Sequence, residues 1–381
     1  MKPRRGGFSL VELMVSIVVG LLALMFATRL MVNAEQNKQT SLGGSDALQN
    51  GMLALFSIDR DAAQAGWGLN DPLLVGCVTN FSDLNGYALG AGGRLAAAVI
   101  QSNGAAPDQL TLYSGSSVSG TGTLRIYSNY PATSGNGRID VDRVPYGFGA
   151  NDVIVVAPET PGVNCSLAQI AADPGQAPSL SIAAGAGLRF NAGALGQAYS
   201  ANQARLFNLG PVAALSFHTW SVQNAFLRLR ATDLAGASAA PGALVIDNVV
   251  SLKAEYGLDT RSSAAFAAAP AMQIGAWSAT MPDADGDGVA GGAGDYQRIA
   301  ALRIAIVARS KSPEKPNAAG VCSTTPALPV VFGSAQPAGV AAVPLTVNVA
   351  VAGDAIAWNC YRYRVFETIV PLRNSGWKPQ P

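Results

Sequence analysis

Asp283, Asp285 and Asp287, alternating with small residues and followed by Gly288, are the residues of this 381-residue chain best spaced to hold an ion. Hard divalent cations take several carboxylate and carbonyl oxygens on a tightly turned backbone, and the run matches the opening positions of a calcium loop, with Gly286 and Gly288 permitting the turn. Where a helix-loop-helix calcium site carries its closing Glu this chain has Gly294, with Asp295 one place later, and flanking helices are missing from the pattern. Two readings stay open: a calcium-binding β-loop using Asp283, Asp285, Asp287 and Asp295, or a solvated acidic turn. Nucleophilic catalysis needs a positioned base, and His218 is the sole histidine. It lies between Phe217 and Trp220 in an apolar stretch and reads as structural. There is no phosphate-binding G-x-x-x-x-G-K-[ST] loop and no G-x-S-x-G elbow, so the chain reads as a non-enzyme without an organic cofactor.

A second constellation sits at the N-terminus. Lys2, Arg4 and Arg5 precede Gly7, and residues 8–28 then run with Glu12 as their only charge. A run of that length spans a bilayer core of ~30 Å at about 1.5 Å per residue. The basic leader keeps the N-terminus cytoplasmic and sends the remainder across. An ordinary signal peptide and a plain membrane anchor are the competing readings. The apolar run is too long for the first, and neither explains Glu12, since a carboxylate costs about 2.5 to 3.5 kcal/mol at a helix centre and somewhat less near its end.

Around these residues the pattern divides in two. Helical spacing continues to about Ala65, with Leu48, Met52, Leu55 or Phe56, and Ala62 or Ala63 as its expected packed face. Gly20, Gly43, Gly44 and Gly51 each weaken a helix by up to about 1 kcal/mol, which predicts a bend or melt at residues 41–45, and Gly66-Trp67-Gly68 predicts its end. Short strands follow, at 110–113, 152–157, 244–256, 298–310 and 361–372. In the fourth, Leu302, Ile304, Ile306 and Ala308 alternate with Arg303 and Arg309, which are expected on the opposite face. Residues 82–122 and 171–196 read as loops or an inserted lobe. Charged residues make up only 13% of the chain and the net charge is +1, which leaves no electrostatic footprint for nucleic acid. Cys77, Cys165, Cys322 and Cys360 lack metal-site spacing and suit disulfides in an oxidising compartment. Of the three possible pairings, Cys77 with Cys165 and Cys322 with Cys360 couple neighbours along the chain.

Gly7-Phe8-Ser9-Leu10-Val11-Glu12 resembles the processing motif of type IV prepilins. That resemblance implies cleavage after Gly7 by a prepilin peptidase, methylation of the new amino terminus on Phe8, and a role for Glu12 in assembly. Residues 247–260, ending in Tyr256-Gly257-Leu258-Asp259, are similar to a strand of the PilW family of minor pilins. The acidic run at 283–288, the strand at 301–310, and Tyr361-Arg362-Tyr363-Arg364-Val365-Phe366 through Leu372-Arg373-Asn374 follow in that family's order. The implied fold is α+β: a long N-terminal pilin helix, transmembrane in its first half, packed on an antiparallel β-sheet head with an inserted loop-rich β lobe. Its expected divisions are a leader at 1–7, a transmembrane helix at 8–28, an amphipathic continuation at 29–66, and a periplasmic head at 67–381 with a variable lobe at 70–240 and family-like strands at 241–374. The implied function is that of a minor pilin of the type IV pilus, at or near the filament tip, initiating assembly for motility, adhesion and DNA uptake. Implied partners are other minor and major pilins, a tip adhesin and the bacterial inner membrane, with the filament and cell surface as destination. A minor pseudopilin of a type II secretion system shares the N-terminal features, though such subunits are generally smaller. An anchored periplasmic binding protein is the more distant alternative.

Overall fold

A computed structural model describes residues 9–69, 71–116, 124–132, 137–160, 162–183, 188–190, 194–266, 272–317 and 319–374, without the side chains of residues 33 and 36–43. Gly7 and Phe8 lie outside the described residues. One helix, α1 (Leu10–Gln64, 55 residues), leads the fold and is about 80 Å long at its standard rise. It runs unbroken through residues 41–45, so the expected melt does not occur. Glycine's propensity cost of about 1 kcal/mol is too small to open a helix whose next turns are held by tertiary packing. The helix stops where Gly66-Trp67-Gly68 predicts: Ala65 is extended (φ −58°, ψ 143°), and Gly66 and Gly68 take φ of +86° and +74°.

The packed face of α1 keeps Leu55 and Ala62 of the expected set but not Leu48, Met52 or Phe56. Ala47, Ala54, Ile58, Ala62 and Ala65 are buried, whereas Leu48, Met52 and Phe56 are 49%, 57% and 64% exposed. Small residues won the inner face because the sheet beneath approaches the helix closely. Gly51 lies directly under the Phe366 ring.

That sheet is four-stranded and antiparallel, in the order Ala276–Ser278, Val249–Leu258, Ile299–Arg309, Tyr363–Pro371. Successive side chains of its long strands point to opposite faces, and along Val249–Leu258 both faces are buried. Leu252, Ala254, Leu302, Ile304 and Ile306 join the core beneath α1. The opposite face is covered too: Val331, Phe332, Val347 and Val349 pack on Val250, Ala305 and Val307. Arg303 therefore does not face water as alternation suggests. It is buried, lies over the Trp277 and Phe332 rings, and pairs with Glu367 at 2.9 Å.

The expected single strand at 244–256 is two strands in different sheets. Asn248 takes φ +57° and turns the chain between Ala243–Asp247 and Val249–Leu258. Ala243–Asp247 is an edge of a five-stranded antiparallel sheet, beside Phe226–Ala231, Ser216–Gln223, Gln109–Ser114 and Ala98–Gln101. The lobe also holds a six-stranded mixed sheet, with one parallel pair where Thr79 meets Cys165, and a two-stranded one of Arg138–Asp140 with Ser179–Ser181. The strand expected at 110–113 is Gln109–Ser114, and the stretches 82–122 and 171–196, read as loops or an inserted lobe, also contribute the strands Arg94–Leu95, Ala98–Gln101 and Ser179–Ser181. One continuous core joins α1 to the four- and five-stranded sheets and to one face of the six-stranded sheet (Val155, Leu167, Phe207), and a second, around Ile154, Val156, Ala168 and Leu206, lies on that sheet's other face.

Candidate functional site

From Leu10 to Val32, 23 residues with mean hydropathy 2.5, α1 is long and apolar enough to cross a membrane, and none of its most apolar stretch is buried in the fold. Leu, Ile, Val, Met and Phe side chains point outward all round it, with exposures from 51% to 77%. A helix apolar on every side needs an apolar environment that the chain does not supply. Glu12 lies in its first turn, where the positive end of the helix dipole favours a carboxylate.

The other half of α1 is locked to the head by contacts that spacing alone does not reveal. Asn50 Nδ2 donates to Asp247 Oδ1 at 2.8 Å, and Thr368 Oγ1 donates to Asp59 at 3.5 Å. Asp61 Oδ2 accepts from Trp220 Nε1 at 2.8 Å and from His218 Nδ1 at 2.7 Å. At the C-terminal end, where carbonyls lack helical partners, Asn374 Nδ2 reaches the carbonyls of Gln64 and Ala65, each at 3.4 Å. Gly66 N donates to Tyr113 O at 2.8 Å. These bonds fix the direction in which the apolar half projects.

Among the described residues, the surroundings of His218 resemble a Ser-His-Asp arrangement. Ser216 Oγ is 3.0 Å from Nε2, and Asp61 holds Nδ1 as an orienting acid would. Asp233 Oδ1, however, lies 2.8 Å from the same Nε2. Burial alone would push the imidazolium down, but bonds to Asp233 and Asp61 outweigh it and raise His218 to about 9. At neutral pH both ring nitrogens then donate to carboxylates, and no lone pair remains to take a proton from Ser216. His218 is a clamp between the helix and the lobe, as the structural reading expects. Its partners Asp61 and Asp233 were not legible from spacing, being 157 and 15 residues away.

The acidic residues gather as a loop. Ligand-type oxygens of Asp283, Asp285 and Asp287 lie within 4.8 Å of one another. Asp283 accepts the amides of Gly286, Asp287 and Gly288, and Gly286 and Gly288 take φ of +80° and +90°, which glycine adopts without strain. Asp285 is held above the usual carboxylate range by burial and by the charges of Asp295, Asp287 and Asp283. Asp295 is fully buried, and its oxygens accept the amides of Ala284, Asp285 and Gly292. It organises the loop from beneath. Disulfides join Cys77 to Cys165 and Cys322 to Cys360, the pairing that couples chain neighbours.

An unpartnered apolar helix on a disulfide-bonded β-rich head is the plan of a pilin, and the family model for the prokaryotic N-terminal methylation motif matches residues 2–28. The model described as type IV pilus-assembly protein W matches residues 221–374, which hold the four-stranded sheet and its helix contacts. These matches lie at the two ends of the chain, and together they are what a PilW-family type IV pilin would give. That family is one of pilus assembly, structural in kind, and its motif and apolar helix fit membrane anchoring and association with a pilus. No curated protein and no solved structure matches the chain.

Proposed function

We propose that this chain is a minor pilin, cut after Gly7 by a prepilin peptidase, methylated on Phe8, and moved from the inner membrane into a type IV pilus at or near its tip, where it initiates assembly. In that role it meets other minor and major pilins and a tip adhesin, and serves motility, adhesion and DNA uptake. The observation that carries this reading is the fully exposed apolar half of a helix whose other half is bonded rigidly to the head. Such a helix sits as well in a bilayer as among like helices, so transfer from one to the other loses little burial. Glu12 supplies the register. Cleavage leaves a cationic amine on Phe8, and four residues of rise, about 6 Å, make a pair within one helix imperfect. A Glu12 carboxylate and the Phe8 amine of a docked neighbour then neutralise each other, because an unpaired charge is expensive in an apolar setting. Glu12→Ala tests this: membrane insertion and cleavage persist while recovery in sheared pili falls. Normal recovery contradicts the docking role.

The acidic loop is proposed as a calcium site in the head, with Asp283, Asp285 and Asp287 as ligands. Three close carboxylates that repel one another are what a divalent cation relieves.

A further inference from the structure

Lys253, Asp108 and Glu255 form a buried group that the pilin role leaves unused. They are 0%, 1% and 2% exposed. Asp108 ends the turn before the strand Gln109–Ser114 of the five-stranded sheet, and Lys253 and Glu255 lie two apart on Val249–Leu258 of the four-stranded sheet, hence on one face. Lys253 Nζ is in direct contact with Asp108 Oδ1, and is aimed there by the carbonyls of Gly104 (2.8 Å) and Ala106 (3.0 Å). Asp108 in turn accepts the amides of Asn103 (2.9 Å, Oδ1) and Ala254 (3.1 Å, Oδ2). Among the described residues Glu255 Oε2 is buried with no hydrogen-bond partner, an uncommon state for a carboxylate.

We propose that Lys253 and Asp108 condense into an intramolecular amide, with Glu255 as the group that passes the proton. The step starts when the proton shared by the two side chains passes to Asp108, which leaves an amine facing a carboxylic acid. Nζ attacks Cγ, and the C–N bond forms as the Cγ–OH bond breaks. The proton goes to Oδ1, which Nζ touches, so Oδ2 is the oxygen that remains, and charge developing on it is held by the Ala254 amide, which already points at it. Glu255 takes a proton from Nζ and delivers it to the departing hydroxyl, which leaves as water, and Glu255 ends as it began. No oxidant, reductant or metal is needed. Burial pushes Asp108 above the usual carboxylate range, and pushes Glu255 up to about 7 against the opposing charge of Arg303, so both can carry the proton the step requires. Holding the amine against the carboxyl group supplies the effective concentration that a condensation in water lacks. The product is a covalent tie between the lobe and the sheet that seats α1, suited to a subunit that bears tension along a filament.

Peptide mapping of the full-length chain, reduced, denatured and cut after Lys and Arg, tests the bond. The expected product joins residues 95–125 to residues 231–261, one water lighter than their sum and uncut after Lys253. Free 95–125 together with cleavage after Lys253 overturns the proposal. Lys253→Arg keeps the charge pair and the fold and should leave the two peptides separate; a joined species there means the link is not through residue 253. Glu255→Gln keeps the shape but cannot accept a proton, and should slow bond formation by about a hundredfold or more. Full linkage in that variant overturns the part assigned to Glu255.

Discussion

Gly51→Ala sets helix propensity against packing, and the two can be weighed. In an isolated helix the change gains about 1 kcal/mol. Here a Cβ at residue 51 would stand 2.0, 2.4 and 2.9 Å from three carbons of the Phe366 ring. Carbon atoms in contact prefer about 3.5 to 4.0 Å, so the ring must move by about 1.5 Å, out of the seat between α1 and Tyr363–Pro371. Overpacking of this kind costs about 1 to 3 kcal/mol. The net expectation is a loss of about 1 kcal/mol, read by urea unfolding of the detergent-solubilised chain. In a Phe366→Leu background the clash is relieved, and Gly51→Ala should become neutral or stabilising, with a coupling of at least about 1 kcal/mol between the sites. If Gly51→Ala stabilises the parent by its full propensity gain, or behaves alike in both backgrounds, the close approach of helix and strand is wrong.

The His218 clamp makes stability depend on pH: because its folded-state pKa is raised from 6.5 to about 9, its contribution is complete below pH 6.5 and is lost as pH rises through 9. The loss should be about 3 kcal/mol and absent from His218→Gln; an equal slope in that variant assigns the effect elsewhere. Removing Cys77–Cys165, which closes 88 residues, should cost about 4 to 5 kcal/mol, and removing Cys322–Cys360, which closes 38, about 4 kcal/mol. Recovery of Cys77 linked to Cys360 in non-reduced peptide maps contradicts both. Calcium at a hundredfold excess over its Kd should stabilise the head by about 2.7 kcal/mol, and Asp283, Asp285 and Asp287 replaced by Ala should abolish the gain. Equal melting in calcium and in chelator leaves a solvated acidic turn.

Local chemistry was the readable part of this chain. The apolar run with its lone Glu12, the glycine-marked end of α1, and the alternation in Ile299–Arg309 each follow from period and residue type within one segment. Positions whose surroundings come from across the fold are not legible in the sequence. Leu48, Met52 and Phe56 have the size of core residues but face outward, because alanines and Gly51 admit the sheet more closely. Arg303 looks solvent-facing until the segment carrying Val331 and Phe332 is seen to cover its side of the sheet. The break at Asn248 is a positive φ inside a run of β-formers, which a single asparagine signals only weakly. Asp61 and Asp108 each act on a partner more than a hundred residues away, and no spacing rule reaches that far.

The most direct test of the account is mass spectrometry of the N-terminus of this chain recovered from sheared pili. The expected terminus is Phe8 carrying one methyl group on its amine, in the filament fraction. A chain that retains residues 1–7, or a processed chain found solely in the membrane, contradicts it.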